Sequence, residues 1–276
     1  MELSCFSKTS VGYSHLKTGK VCQDFSATYH DEARTIVTAC DGHGGSLYIR
    51  SHLGSKFASD AVMRVFSSLE ETAFCRYSEE EIVEKLRLNI LCEWNAMVER
   101  SISLSPIRKK ECRPLSEKDE LTLKLNAAKA YGTTLNGAMV LRDRLICASL
   151  GDGGVFLIKN GSIEPAFVES EDEETVANIT YSMCQEDAYK HLKTAIFDFT
   201  QIDGVMLCTD GLINPYRNLA NFEQSFVRPV IALSTEGKTD EISDFVIKLG
   251  TEIGIGDDVS LGLILKRGID LNNYKG

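Results

Sequence analysis

Residues 35–45 read TIVTACDGHGG, an apolar run that ends in polar and flexible residues. The run from Thr35 to Cys40 is rich in β-branched side chains, which predicts a buried strand. Asp41 follows directly, and glycines stand on both sides of His43, where they let the backbone approach a ligand closely. A long amphipathic pattern then begins at Ser46. The stretch therefore predicts a functional site at the end of a buried strand.

The same kind of junction, an apolar run followed by an acidic residue beside glycine, recurs along the chain. It occurs at Asp41, Asp152, Asp210 and Asp257, and Asp24 adds another acid early in the sequence. Asp-Gly is also a common hairpin signal, and for Asp152 taken alone a plain turn is the favoured interpretation. Asp41 and Asp210 are followed by helical or irregular segments, so a hairpin does not explain them.

Carboxylates gathered at strand ends indicate a site for hard divalent cations. Asp257 and Asp258 are adjacent like charges before an apolar run, a pair that costs energy unless cations or solvent screen it. Mg²⁺ and Mn²⁺ take oxygen ligands, and two such ions can activate a water for in-line attack on a phosphoryl group. Zinc is disfavoured because the chain has no His/Cys ligand spacing.

The remaining pattern predicts one domain of mixed α and β structure over residues 1–276. Helices are expected at 46–69, 78–100, 217–233 and 238–250, with Ser46 capping the first and a capping box at Ser78 and Glu81 opening the second. Strands are expected at 133–141, 145–150, 155–158, 204–209 and 259–266. Residues 101–128 are interpreted as a loop with a short helix and residues 165–200 as irregular. No repeat or composition shift marks a domain boundary.

Composition limits the classes of function. The chain has 30 Lys and Arg against 40 Asp and Glu, a formal net charge of −10. That charge argues against nucleic-acid binding and predicts a site that repels phosphate unless metal neutralises it. No apolar run approaches the ~18 residues of a membrane span, and no signal peptide is recognised. Nine scattered cysteines without a Cys-x-x-Cys pair are typical of reduced thiols, so a cytoplasmic protein is expected.

Six short motifs occur in an order that resembles the metal-dependent serine/threonine protein phosphatases of type 2C, the PPM family. They are QD at 23–24, DGHGG at 41–45, YGTT at 131–134, GD at 151–152, CTDGL at 208–212 and GDDVS at 256–260. The sequence around residues 12–15 and 22–24 is similar to that of a divergent bacterial branch of this family. The resemblance implies an α+β fold, an αββα sandwich of two antiparallel β-sheets flanked by helix pairs. It also implies an irregular flap at about 159–200 beside the active site.

The resemblance implies two divalent metal ions, Mn or Mg, and a ligand set. The members of that set are Asp24, Asp41, Gly42, Asp152, Asp210 and Asp257. Asp41 would bridge the two ions, and the Gly42 carbonyl would join the second, with Asp24 nearby through water. Asp210 and Asp257 would hold the first ion. Asp152, together with Asp210, can hold a weaker third ion, which would give it a role beyond a turn.

The implied reaction is hydrolysis of phosphoserine and phosphothreonine in proteins by a metal-bridged water, with Asp41 and His43 as the catalytic residues. His43 would protonate the leaving alkoxide, since an imidazole with an ordinary pKa near 6.5 suits this task. The alternative for His43 is a structural imidazole in the glycine loop. The implied partner is a phosphorylated protein, paired with a Ser/Thr kinase; neither nucleic acid nor a membrane is expected.

The phosphate-binding side departs from the family pattern. Gly19 stands where the family has an arginine four residues before its acidic pair, Gln23 replaces the first acid, and Asp258 replaces an asparagine. Three basic residues are candidates to replace the arginine: His15, Lys17 and Lys20. Because of these departures, two alternative functions remain. One is a non-catalytic phosphoprotein-binding module on the same fold, and the other is a phosphatase of small molecules or nucleotides.

Overall fold

Two antiparallel sheets of five strands each form the centre of the computed structural model, which describes residues 2–168 and 180–269. The strands are β1 (Leu3–Ser10), β2 (Phe25–His30), β3 (Arg34–Cys40), β4 (Leu135–Leu141), β5 (Arg144–Leu150), β6 (Gly154–Lys159), β7 (Ser162–Pro165), β8 (Lys193–Asp198), β9 (Gly204–Cys208) and β10 (Val259–Lys266). One sheet has the order β1-β10-β9-β6-β7 and the other the order β2-β3-β4-β5-β8.

Helices cover the outer faces of the sheets. The first four are α1 (Tyr13–Thr18), α2 (Ser51–Ser68), α3 (Glu79–Leu104) and α4 (Glu117–Leu125). The later helices are Ala188–His191, Asp210–Ile213, Leu219–Phe222, Arg228–Thr235 and Thr239–Lys248, with π-helical turns at Glu223–Val227 and Leu249–Ile253. Short 3₁₀ turns lie at Glu71–Cys75, Ala127–Tyr131 and Phe199–Gln201. Within the described residues, none of the helices combines the length and apolar character that crossing a bilayer requires.

Three apolar layers hold the sandwich together. The middle layer lies between the sheets and includes Val37 of β3 and Leu207 of β9, both fully buried. A second layer joins α2 and α3 to the β2–β8 sheet, with Trp94 at its centre. The third joins the helices after residue 218 to the other sheet, around Phe222 and Phe226. The expected αββα sandwich is confirmed, because helix layers cover both outer faces of the paired sheets.

Several elements agree closely with the sequence-based expectations. α3 begins after Ser78, whose hydroxyl accepts from the Glu81 N–H while the Glu81 carboxylate accepts from the Ser78 N–H, so the capping box is confirmed. β10 has the expected bounds of 259–266. Residues 101–128 contain α4, as expected for a loop region with one short helix.

The predicted start of α2 is wrong. The helix begins at Ser51 instead of Ser46, and it has no side-chain cap. Residues 45–50 are held in turns because the Tyr48 N–H donates to the Gly45 carbonyl and the Arg50 N–H donates to Ala130 O, at 3.0 and 2.8 Å. Those bonds satisfy the backbone outside a helix, so the apolar residues in this interval pack as a loop.

The predicted irregular interval is too broad. The expected flap at 159–200 contains β7, the helix Ala188–His191 and β8, and β8 pairs with β5 along its whole length. The described residues of this interval are therefore partly regular. Residues 169–179 lie outside the described residues, and the flap prediction is not tested there.

The sheet register brings the acidic junctions to one end of the sandwich. β2 pairs with β3 so that Phe25, which follows Asp24, lies opposite Cys40, which precedes Asp41. In the other sheet, Cys208 at the end of β9 lies opposite Leu261 near the start of β10. Because neighbouring strands are antiparallel, the end of one strand meets the start of the next at the same edge. The local Asp-Gly junctions thus become one site.

Candidate active site

Three carboxylates from different loops converge at this end of the sandwich. Each of Asp41, Asp152 and Asp210 offers one oxygen, and these three atoms all lie within 4.8 Å of one another. They follow β3, β5 and β9, so the register of both sheets determines their meeting. Side chains that are far apart in sequence therefore form a single acidic cluster.

Asp41 and Gly42 sit on a rigid strand end. The Asp41 carbonyl accepts from Thr134 N at 2.8 Å and from Thr133 Oγ1 at 2.7 Å. Gly42 N donates to the Gln23 carbonyl at 3.1 Å, and a β-carbon on Gly42 would lie 2.5 Å from that same carbonyl oxygen. Only glycine permits so close an approach of two backbone segments.

Hydrogen bonds orient the remaining carboxylates. Asp24 is buried, and its Oδ2 accepts from the Thr209 hydroxyl at 2.8 Å. Asp210 begins a short helix and accepts from Asn214 Nδ2 at 3.1 Å. Asp257 Oδ1 accepts from the backbone N–H of Asp258 at 2.9 Å. Each acid is thus held by a partner from its own or a neighbouring element.

Burial, and after it the charges of neighbouring acids, raises the pKa values of Asp24, Asp41 and Asp210. Burial raises the pKa of Asp24 to about 8, with the charge of Asp258 adding to the shift and the Thr209 hydrogen bond opposing it. The pKa of Asp41 is raised well above its ordinary value by burial and then by the charges of Asp24 and Asp210. Burial likewise raises the pKa of Asp210, with the charges of Asp152 and Asp257 as further causes.

The donor set fits a hard divalent cation. It consists of carboxylate oxygens whose mutual repulsion a cation would relieve, and hard cations prefer oxygen ligands. Gln23, beside Asp24, has a buried side-chain oxygen for which the described residues supply no hydrogen-bond partner. A buried acceptor without a donor is costly in a folded protein, unless an ion or water completes it.

His43 follows Asp41 by two residues, and its ring packs against a tyrosine. Its backbone N–H donates to Gly132 O at 3.1 Å, and its ring packs against Tyr48 at 4.8 Å between centroids. Burial lowers the pKa of His43, while the charge of Asp152 acts in the opposite direction.

Comparison with known proteins decides the family. The family model described as "Protein phosphatase 2C" matches residues 11–246, which is most of the chain. The chain belongs to the protein phosphatase 2C family. This confirms the resemblance inferred from the six motifs.

Relatives and solved structures of this family are similar along most of their length. The serine/threonine phosphatase stp of Listeria welshimeri is 25% identical over 198 residues, covering 65% of this chain and 67% of the relative. A crystal structure of a bacterial serine phosphatase has a TM-score of 0.60 at 19% identity, over 98% of this chain and 99% of the other. The catalytic domain of the phosphatase PstP, solved with two manganese ions, has a TM-score of 0.57 at 15% identity over 95% and 97%.

The three candidate phosphate-binding residues of this family member occupy different surroundings. His15 is 8% exposed, and its Nδ1 lies 2.9 Å from Asp258 Oδ2, so the ring is engaged inside the protein. Lys17 is exposed on α1 with its Nζ 4.8 Å from the Tyr13 ring centroid, and Lys20 is exposed just after α1. Gly19, at the family's arginine position, ends α1 with a φ of 68°, a left-handed conformation that favours glycine.

Some residues of this site have no assigned role in the sequence-based prediction. Asp258 is buried and hydrogen-bonded to three separate residues, and the Thr180 hydroxyl donates to Asp152 Oδ2 at 2.5 Å. Two adjacent acids at 257 and 258 indicate that at least one of them needs a hydrogen-bond donor or a cation. The neighbouring sequence does not identify that partner. His15, 243 positions away, is brought to Asp258 only by the fold.

Proposed function

We propose that this phosphatase 2C family member is a divalent-metal-dependent serine/threonine protein phosphatase. The convergence of Asp41, Asp152 and Asp210 carries the proposal, because three carboxylate oxygens within 4.8 Å of one another repel strongly unless a cation lies among them. Its relatives named as serine/threonine phosphatases support the activity, and the PstP structure with two manganese ions supports the metal.

The residues that would hold the metal follow the family pattern. Asp41 would be shared by two ions, Asp210 and Asp257 would belong to the first, and the Gly42 carbonyl and Asp24 to the second. Asp152 would join Asp210 at a weaker third position. Bound Mg²⁺ or Mn²⁺ supplies a water of lowered pKa as nucleophile and neutralises charge on the phosphoryl oxygens.

His43 would give a proton to the serine or threonine oxygen as it leaves. Its ring is close enough to the cluster to feel the charge of Asp152, and burial lowers its pKa. In the protein without substrate, the neutral imidazole is therefore favoured at neutral pH. A phosphate dianion beside the ring would favour the protonated form again, because an opposite charge favours the ionised state. The ring would thus be charged when the substrate is bound, as a general acid requires.

Phosphate recognition would involve the exposed lysines near α1. Lys17 and Lys20 are exposed to solvent, whereas His15 is already hydrogen-bonded to Asp258. A flexible ammonium can contact a phosphate as a point charge, without the bidentate geometry that arginine provides. The substrate would be a phosphorylated protein, as the name of the PstP serine/threonine protein phosphatase suggests. The opposing enzyme would be a Ser/Thr kinase.

Hydrolysis of p-nitrophenyl phosphate tests the proposal. The chain stripped with EDTA should be inactive and should regain activity with Mn²⁺, and Asp41→Asn and Asp210→Asn should reduce the Mn²⁺-dependent rate to background. Asp60→Asn is the matched control, because Asp60 is an acid on α2 that pairs with Lys56 and is outside the proposed ligand set. Phosphopeptide binding without turnover at saturating Mn²⁺ would instead indicate a non-catalytic phosphoprotein-binding module.

A further inference from the structure

We propose that His15 is a positioning residue for the metal ligands and that it acts through the buried carboxylate of Asp258. The inference rests on the proposed function, since it concerns the same metal centre. It assigns a role to two residues that stand outside the proposed ligand set. It also replaces the expectation that His15 contacts the substrate phosphate.

Asp258 is a junction between three segments of the chain. Its side chain is buried, at 3% exposure for the residue, and its two oxygens accept from three donors. Oδ1 accepts from Gly12 N at 2.7 Å, while Oδ2 accepts from Gln23 N at 2.6 Å and pairs with His15 Nδ1 at 2.9 Å. An ionised carboxylate only accepts, so His15 carries its proton on Nδ1 in this arrangement.

The junction connects directly to the proposed metal ligands. The backbone N–H of Asp258 donates to Asp257 Oδ1 at 2.9 Å, so a displaced Asp258 would release that ligand. The Gln23 carbonyl accepts from Gly42 N at 3.1 Å and from the Ser55 hydroxyl at 2.6 Å. Through Gln23, the same carboxylate fixes the backbone on which Asp24 and Gly42 stand.

Of these three hydrogen bonds, only the one from His15 comes from a side chain, and the other two donors are backbone N–H groups, which remain when any side chain is changed. The thiol of Cys22 also interacts with this carboxylate, and it remains in a His15 variant. The charge of Asp258 also raises the pKa of Asp24, which means that the two carboxylates repel. Loss of the imidazole would leave this buried carboxylate with one hydrogen bond fewer beside other acids, and the side chain would then shift from its position.

The helix that carries His15 is itself fixed to the ligand loop. A β-carbon on Gly12 would lie 2.3 Å from the backbone carbon of Asp257, so these two segments are in close contact. Ser14 N donates to Gly256 O at 3.1 Å, and the Ser14 hydroxyl donates to the same carbonyl. α1 and the loop 256–258 therefore form one unit, within which His15 can hold the carboxylate in place.

Mn²⁺ binding to the metal-free chain tests this role without relying on turnover. The free Mn²⁺ signal in electron paramagnetic resonance gives the dissociation constant for each variant. His15→Ala should weaken Mn²⁺ binding by about 10- to 100-fold, the range seen when partners of metal ligands are removed. His30→Ala is the matched control, because His30 Nδ1 is also hydrogen-bonded, to Thr35, at the far end of β2.

Two conservative variants give a finer test and remain informative if the alanine variant does not fold. Asparagine at position 15 can place an amide N–H near the position of Nδ1, whereas glutamine places it farther out. His15→Asn should keep Mn²⁺ affinity within about threefold of the wild type, and His15→Gln should lose roughly tenfold or more. Equal affinities for the two variants would overturn the inference.

Other roles of His15 give different results. A purely structural residue would lower the melting temperature on change to alanine and leave the Mn²⁺ dissociation constant unchanged. A phosphate ligand would lose inhibition by inorganic phosphate at saturating Mn²⁺, again with unchanged metal affinity. Either result overturns the positioning role. Absence of Mn²⁺ binding and hydrolysis in the wild type would instead contradict the proposed function itself.

Discussion

At the scale of single residues, several carboxylates of the site are buried close together and repel one another. Burial and mutual charge raise the pKa values of Asp24, Asp41 and Asp210 in the metal-free protein. A bound cation would reverse this effect, because it favours the ionised form of each carboxylate. The same groups therefore link metal binding, pH and stability.

Stability of the metal-free chain should depend on Asp24 in a defined direction. The pKa of Asp24 is raised from 3.8 to about 8. Between these values the folded chain holds a proton that the unfolded chain has released, so the free energy of unfolding falls as pH rises. Asp24→Asn removes this contribution, and thermal melts in EDTA should show the variant gaining stability relative to the wild type from about pH 5 to pH 8. A difference in melting temperature between variant and wild type that stays constant across that pH range would contradict the raised pKa of Asp24.

The role of His43 is tested by the leaving group. His43→Asn should lower the rate on a phosphoserine peptide by about 10²- to 10⁴-fold, the usual contribution of a general acid. The rate on p-nitrophenyl phosphate should fall much less, because that leaving group departs without a proton. Steady-state rates on both substrates at saturating Mn²⁺ give the comparison. An equal loss on the two substrates would favour a structural imidazole.

Much of the candidate site can be predicted from short-range patterns, because Asp41, Asp152, Asp210 and Asp257 each stand beside a glycine next to an apolar run. The helical or irregular segments after Asp41 and Asp210 distinguish these two acids from hairpin turns. The pairing of His15 with Asp258 cannot be predicted in this way. It depends on two distant segments whose meeting is determined by the fold, and the local sequence around His15 indicates only a basic residue near the expected phosphate site.

At the scale of elements, a tight strand end carries the site. Gly42 lies between two backbone segments, and a β-carbon there would be 2.5 Å from Gln23 O and 2.7 Å from Ser51 O. These neighbours are backbone atoms, which cannot move aside for an added methyl group as a flexible side chain can. The strand β3 and the start of α2 are thus locked together at the position of the proposed carbonyl ligand.

Substitution of this glycine should cost both stability and metal binding. Gly42→Ala should lower the melting temperature and weaken Mn²⁺ binding, because the loop must move to admit the methyl group. Gly44→Ala is the matched control, since its β-carbon would meet only Gln23 Oε1 at an ordinary 3.7 Å. Thermal melts and Mn²⁺ titrations of the two variants provide the test. Similar melting temperatures for both variants would contradict this description of the strand end.

The interior strands are predictable from sequence and the edge strands are not. β3, β4, β5, β6, β9 and β10 lie inside the two sheets and are almost wholly buried, so their apolar runs identify them. The edge strands β1, β2, β7 and β8 are half exposed and mix polar with apolar side chains. Their pairing is determined by the neighbouring strand, which a local pattern does not contain.

At the scale of the whole molecule, the sandwich brings acids from two sheets to one end of a chain that carries a net charge of −10. An acidic protein with an acidic site would repel a phosphorylated substrate. Divalent cations at the cluster would resolve this conflict, since they would supply positive charge where the phosphate must bind. The fold, the charge and the donor set therefore agree with the proposal of a metal-dependent phosphatase.

The most direct test is release of inorganic phosphate from a phosphoserine peptide by the EDTA-stripped chain as Mn²⁺ is added. We expect no release without metal, a rate that rises with Mn²⁺ and saturates, and no Mn²⁺-dependent release by Asp210→Asn. A wild-type chain that binds Mn²⁺ and the peptide yet releases no phosphate, or that releases it equally in EDTA, would contradict the central claim.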